Sequence, residues 1–210
     1  SGVRYGRLID ICRNVVEKQV ERSVKTKIVR YALRQILPNL NVFMVFLKIG
    51  QAVKPLLPKE IRGLIPSKSR NSGIWPPARH KRKMLVLDGC VQPSIAPNIN
   101  TATARILDKI GISLIKAEKE NCCGAISYHL NAQQEGLDYM RRNIDAWWPY
   151  CDNNIAHGVE AIVMTASGCG VTVKEYGNYL INDPIYSEKA ARISELTKDI
   201  SEILEDEAEQ

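Results

Sequence analysis

The sequence is poor in several things, and each shortage closes off a class of protein. None of its 210 residues lies in an apolar run long enough to span a bilayer. The longest apolar cluster, residues 42–47, suits a core or a contact surface. No signal-peptide pattern is present, so the six cysteines are expected in a reducing, cytoplasmic compartment. There, cysteines bind metal or do redox chemistry more often than they form structural disulfides. Aromatic residues make up only 6%, and no stacking platform or base-reading motif occurs, which argues against nucleic acid as a partner. A phosphate-cradling glycine loop, a Ser-His-Asp arrangement and a prominent carboxylate pair are all missing. The chemistry must lie elsewhere.

It lies in the cysteines. Asn121-Cys122-Cys123-Gly124 is an uncommon string, and other segments repeat a plan around it. Met84-Leu85-Val86-Leu87-Asp88-Gly89-Cys90 reads as a buried strand running into a cysteine, and Ala161-Ile162-Val163-Met164-Thr165 followed by Ala166-Ser167-Gly168-Cys169-Gly170 does the same. Between them come a helix over 98–110, with Ala102, Ile106, Leu107 and Ile110 inward and Gly111 as its stop, and a strand over 112–115. The longest helix is expected over 125–148, showing Ile126, Leu130, Leu137, Met140, Ile144 and Trp147 on one face and ended by Pro149 and the Asn/Asp cluster at 152–154. A further helix runs to about Tyr179, and a last one over 187–204 is amphipathic through Ile193, Leu196, Ile200 and Ile203. Strands alternating with helices predict an α/β fold with a parallel, doubly wound, Rossmann-like sheet. In such a fold Cys90, Cys122, Cys123 and Cys169 meet at the carboxyl ends of the strands.

The first part of the chain is different. Residues 1–83 carry 19 Lys and Arg against 4 Asp and Glu, whereas residues 84–210 carry 10 against 19. The expected organisation is a basic helical arm over 1–65, a Pro-rich basic linker over 66–83 and an α/β domain over 84–204. Helices are expected over 1–20, 24–37 and 42–53. Leu8, Ile11, Cys12, Val15 and Val16 share a stripe, so Cys12 is expected to be buried. Amphipathic basic helices suit a protein partner or an anionic membrane surface, and the protein partner is preferred. In the linker, Trp75 is expected to pin the chain to the domain and His80 to be solvated. The abrupt start at Ser1-Gly2-Val3 gives the chain the look of a piece of something longer.

Residue chemistry leaves three readings of the thiols open: an iron–sulfur cluster, a zinc site, or a thiol–disulfide pair such as Cys90 with Cys123. Adjacent cysteines bridge each other poorly but can bind two metals of one cluster. A zinc site lacks the usual C-x-x-C knuckle here. Gly124 would let the backbone pass close to a bulky inorganic group, and a helix starting at the pair would favour thiolate. His129 could orient a cluster sulfur or donate a proton, as against packing on a helix surface. His157 and Cys151 read as structural, and Trp147-Trp148 as core or as a docking surface.

The pattern Gly89-Cys90, Cys122-Cys123-Gly124, Ser167-Gly168-Cys169-Gly170 resembles the cysteine-rich CCG domain of heterodisulfide reductase B subunits and of iron–sulfur subunits of glycolate and lactate oxidases. Leu87-Asp88-Gly89-Cys90-Val91-Gln92-Pro93, Tyr128-His129-Leu130-Asn131-Ala132-Gln133 and Asn143-Ile144-Asp145-Ala146-Trp147-Trp148 are similar to the bacterial glycolate oxidase iron–sulfur subunit family, over essentially the whole chain. The resemblance implies the middle portion of such a subunit. It also implies Cys90, Cys122, Cys123 and Cys169 as ligands of an iron–sulfur cluster, 4Fe-4S by preference, lined by Gly89, Gly124, His129 and Gly168. FAD would sit on a separate flavin-containing subunit, and electrons would pass to the quinone pool near the inner membrane face. One departure stands out: Ala166 occupies the first position of the C-x-x-C that ends the fuller pattern, so four thiols remain rather than five.

Overall fold

In a computed structural model the structure describes residues 5–69, 71–152 and 158–209. The chain begins with three helices, α1 (Tyr5–Gln19), α2 (Val24–Ile36) and α3 (Leu40–Val53), followed by a 3-10 turn at Lys54–Leu56 and the short α4 (Lys59–Arg62). Ser23 and Asn39 cap α2 and α3 by accepting from Thr26 N–H and Val42 N–H, as short polar side chains do at helix starts. From there no regular element occurs among the described residues until β1 (Arg82–Val86).

After β1 come α5 (Gln92–Ile95), α6 (Asn98–Lys109), β2 (Ile112–Ile115), α7 (Ala125–His129) and α8 (Gln133–Cys151). The rest is β3 (Ile162–Met164), α9 (Ser167–Lys174), α10 (Tyr176–Tyr179), α11 (Ser187–Leu196), β4 (Thr197–Asp199) and α12 (Ile200–Ala208). The sheet order is β2-β1-β3-β4, every pair parallel, with Met84 opposite Leu114 and Leu85 opposite Ile162. This is a doubly wound α/β sheet preceded by a helical region, as the sequence pattern predicts.

Alternation along β1 divides the interior into two layers. Met84 and Val86 pack with Ala104 and Leu107 of α6, Ile112, Leu114, Val163 and Ile203 of α12. Leu85 and Leu87 pack on the other face with Met140, Ile144 and Trp147 of α8, Ile162, Met164, Tyr176 and Ile193. Trp75 joins the first layer, and its indole N–H donates to the carbonyl of Leu114 at 3.2 Å, which pins the linker as expected.

Six expectations need correction. The helix over 125–148 is two helices: Asn131 adopts a left-handed φ of 63°, and Asn131 N–H and Ala132 N–H bond back to the carbonyls of Tyr128 and Ser127. That is a Schellman ending, in which asparagine does the work glycine usually does. Downstream, α8 passes through Pro149 and ends at Cys151. The helix over 187–204 is broken by β4, whose Asp199 closes a capping box with Glu202 and starts α12. The inward face of α6 carries Asn100, Thr103, Ala104 and Leu107, while Ile106 and Ile110 are exposed. Cys12 is exposed rather than buried, as are Leu8, Ile11, Val15 and Val16 of the same stripe. Lastly, His80 is half-buried, its Nε2 lying 3.0 Å from Asp108. His157 and residues 153–154 lie outside the described residues.

Candidate metal centre at the carboxyl end of the sheet

The strand order reverses direction between β1 and β3: the chain leaves β1 for one edge and returns across it to build the other. Loops leaving β1 and β3 part there, which is the usual place for a site in such sheets. Cys90 follows β1, Cys122 and Cys123 follow the long loop after β2, and Cys169 sits in the first turn of α9 after β3. The topology thus delivers all four thiols to one place.

They touch. Cys123 Sγ lies 3.3 Å from Cys169 Sγ, and Cys122 lies close enough to Cys90 and Cys123 for the three thiols to shift one another's titration. Cys122 and Cys123 are almost wholly enclosed, Cys90 is buried, and Cys169 is the one with access to solvent. Protons are shared unequally. The hydrogen bond from Cys122 holds Cys90 below its ordinary value, while Cys123 is lowered further by Cys122 and Cys169 together. Cys122 and Cys169 are pushed up, chiefly through their contacts with Cys123.

The loop carrying the pair is fixed by residues that spacing alone did not single out. Asn143 of α8 is fully buried; its Oδ1 accepts Asn121 N–H at 2.8 Å and its Nδ2 donates to the Cys122 carbonyl at 2.9 Å. The hydroxyl of Tyr176, buried in α10, donates to the Cys123 carbonyl at 2.8 Å. Glu120 accepts Asp88 N–H and the Trp147 indole N–H, and burial pushes its carboxyl up to about 7. A second network, Gln92–Asn100–Thr165 with Asp88 on Asn100, ties the Cys90 loop to the end of β3. An asparagine in the middle of an apolar helix face was the readable signal for Asn143.

The candidate glycines divide. Gly124 has φ 88°, and a Cβ there would stand 2.6 Å from the Gly136 carbonyl oxygen. Its smallness therefore serves the packing of the pair against α8, not only the approach of a ligand. Gly89 has φ 77° with open space around it, and Gly168 is exposed with nothing within 4 Å of a built Cβ. His129 closes α7 on the surface, its Nδ1 at 2.8 Å from Arg13 and 3.6 Å from Asp10 of α1. The structure gives it to the arm rather than to the thiols. Cys151 is in the core beneath α8, where burial pushes its thiol up to about 12.

Among the described residues no three His, Cys, Asp or Glu side chains stand in an arrangement that holds a single metal ion. The donor set is nevertheless all sulfur, enclosed and without a rival hard ligand, which suits iron–sulfur chemistry over a hard cation. On donor chemistry the residues fit such a group, with the thiols parting from contact to admit it.

Residues 84–174 match the model of the cysteine-rich CCG domain. The chain is 49% identical over 207 residues to the glycolate oxidase iron–sulfur subunit of Escherichia coli K12, covering 99% of this chain and 50% of that one. It is 25% identical to the probable glycolate oxidase iron–sulfur subunit of Bacillus subtilis 168, covering 97% and 50%. Lactate utilization protein A of Bacillus pumilus is 24% identical over 117 residues, covering 56% and 45%. The chain spans about half the length of these curated relatives, and no solved structure matches it. With its thiols gathered beyond the strands of this sheet, the segment 84–174 is the part of the chain that matches the cysteine-rich CCG domain.

Proposed function

We propose that this chain is the electron-relaying part of the iron–sulfur subunit of a glycolate oxidase, with Cys90, Cys122, Cys123 and Cys169 holding the cluster. The observation that carries the reading is 49% identity spread over 99% of the chain to a subunit of that name, together with four converging thiols. A bound cluster, 4Fe-4S by preference, would supply one-electron transfer. Oxidation of glycolate to glyoxylate would occur on FAD in a separate flavin subunit, and the quinone pool would take the electrons. The subunit is then part of an oxidoreductase without binding the acid itself.

The chain's own residues do the rest. Asn143 and Tyr176 hold the carbonyls of the cysteine pair, so the loop keeps its course whether or not the thiols are engaged. Trp147, Met140 and Tyr176 keep water from the inner side. Arg30 and Arg34 of α2 reach the carbonyl of Leu130 and the carboxylate of Glu135, which sets the arm against the turn that follows the pair. We place the protein in the cytoplasm, its basic arm facing the flavin subunit and, secondarily, the inner face of the membrane. No single helix among the described residues is long and apolar enough to cross a membrane.

Visible absorption of the anaerobically purified chain, with iron and sulfide analysis, tests this. The expected result is a broad absorbance with iron and sulfide bound, lost in Cys123→Ser and retained in Cys151→Ser. Co-purification with the flavin subunit without iron or sulfide would favour a docking scaffold instead. An intact cluster reduced only by a different flavoprotein would move the assignment to lactate or another 2-hydroxy acid.

A further inference from the structure

Cys123 and Cys169 stand apart from the other thiols in two respects. They are the pair at 3.3 Å across two different elements, the loop before α7 and the first turn of α9. And one of them can be reached: Cys169 is half-buried beside exposed Ser167 and Gly168, where even a built Cβ meets nothing within 4 Å. The neighbouring combinations are poorer. Cys122 and Cys123 are neighbours along the chain, which bridge each other poorly, and Cys90 and Cys122 are both enclosed. Cys151 belongs to the core under α8, and Cys12 is on the arm.

We propose that Cys123 and Cys169 form a reversible disulfide in the metal-free chain, and that this bond must be reduced before the site can be loaded. The proposal rests on the iron–sulfur reading for its consequence, but the bond itself does not depend on it. A disulfide needs its sulfurs at about 2 Å, so the pair must close by a little over an ångström, within reach of a first-turn residue and a loop. The oxidant is a low-molecular-weight disulfide. The Cys169 thiol, the one of the pair with access to solvent, gives up its proton to water as it attacks one sulfur of that molecule, forms a mixed disulfide and releases one thiolate. Cys123 then attacks the Cys169 sulfur, releases the second thiolate and leaves the Cys123–Cys169 bond. Two protein thiols lose two electrons and two protons, and one small disulfide becomes two thiols. While the bond stands, two of the four donors are withdrawn. The resting site is then protected from the irreversible oxidations open to an exposed thiol.

Metal-free full chain, prepared without oxygen, is incubated with oxidised glutathione, its free thiols are alkylated, and the digest is mapped by mass spectrometry. The expected result is loss of two of the six free thiols, one cross-link joining Cys123 to Cys169, and loss of iron uptake from ferrous iron and sulfide. Dithiothreitol should restore both thiols and uptake. A bridge between Cys90 and Cys122, or a lasting glutathione adduct on Cys169, would overturn the proposal. So would a bridged chain that still takes up iron. Because the mapping uses the unaltered chain, it stands even where Cys169→Ser fails to fold. Failure of the iron–sulfur reading looks different: the chain would bridge, reduce cleanly, and then bind no iron.

Discussion

The arm and the sheet domain are made of similar amphipathic helices, and they treat their apolar faces in opposite ways. In the domain, α8 buries Met140, Ile144 and Trp147 against β1 and β3. In the arm, α2 and α3 have no buried residue, and Val24, Val45 and Phe46 are each more than half exposed. The arm is held by polar clasps instead: Arg30 on the Leu130 carbonyl, Arg34 on Glu135, and Arg13 on His129. Glu135 also accepts from Ser127 of α7, so the clasp reaches the helix that begins just after the cysteine pair. Hydrophobic burial therefore secures the domain, while charge and hydrogen bonds set the position of the arm on it. An apolar face left open on a basic arm is the composition of a surface that awaits a partner.

The largest expected effect tests that contrast directly. Trp147→Ala should cost the domain about 3–5 kcal/mol, since a fully buried indole leaves both a cavity and lost contacts. Phe46→Ser, on α3, should change chain stability by no more than about 0.5 kcal/mol, as for other surface changes. Urea unfolding of both variants checks this. If Phe46→Ser proved as costly as Trp147→Ala, the arm would have a core of its own and the comparison would fail.

Next comes the buried amide. Asn143→Ala removes the acceptor of Asn121 N–H and the donor to the Cys122 carbonyl, leaving backbone groups unpaired in the interior. The expected cost is about 1–3 kcal/mol. Faster alkylation of Cys122 and Cys123 in the folded variant would show that the loop, and not only the core, has loosened. Asn143→Asp keeps the acceptor and should recover the Asn121 contact alone.

Reading these residues beforehand depended on how each one is held. The runs at Met84, Ile112 and Ala161 were legible because buried parallel strands are continuously apolar. The convergence of Cys90, Cys122, Cys123 and Cys169 followed from that order of strands. β4 was not legible: Thr197-Lys198-Asp199 has no apolar run and is a strand only because β3 offers it an edge. The face of α6 was misread because Asn100 and Thr103 are buried by hydrogen bonds, which periodicity of apolar residues does not count. Asn131 hid a helix ending that glycine would have announced. Of the basic residues counted in the first part of the chain, Arg22 and Arg30 both pair with Glu17, and Arg30 also clasps Leu130. A charge count cannot tell a committed arginine from an available one.

The smallest expected effect concerns the stretch between arm and domain, residues 66–83, which we propose behaves as a linker tied down at its end. Asp108 of α6 receives Arg79 Nε at 2.9 Å and faces His80 Nε2 at 3.0 Å, while Arg79 N–H and His80 N–H both donate to Ser113 Oγ. The hydrogen bond from Arg79, more than the one from His80, holds the Asp108 carboxyl below its ordinary value of 3.8. A carboxylate lowered on folding contributes its stability in full above the unfolded value and loses it as pH falls through the folded one. The tether should therefore be constant at neutral pH and fade only in acid, below about pH 4. Asp108→Asn should raise hydrogen exchange across 76–83 at pH 7 while leaving the unfolding midpoint of the domain nearly unchanged, because a solvent-facing pair is worth little. As pH falls through the lowered value of Asp108, the difference between the variant and the unaltered chain should shrink. No difference at pH 7 would mean that the Ser113 contacts and Trp75, not the ion pair, fasten this segment.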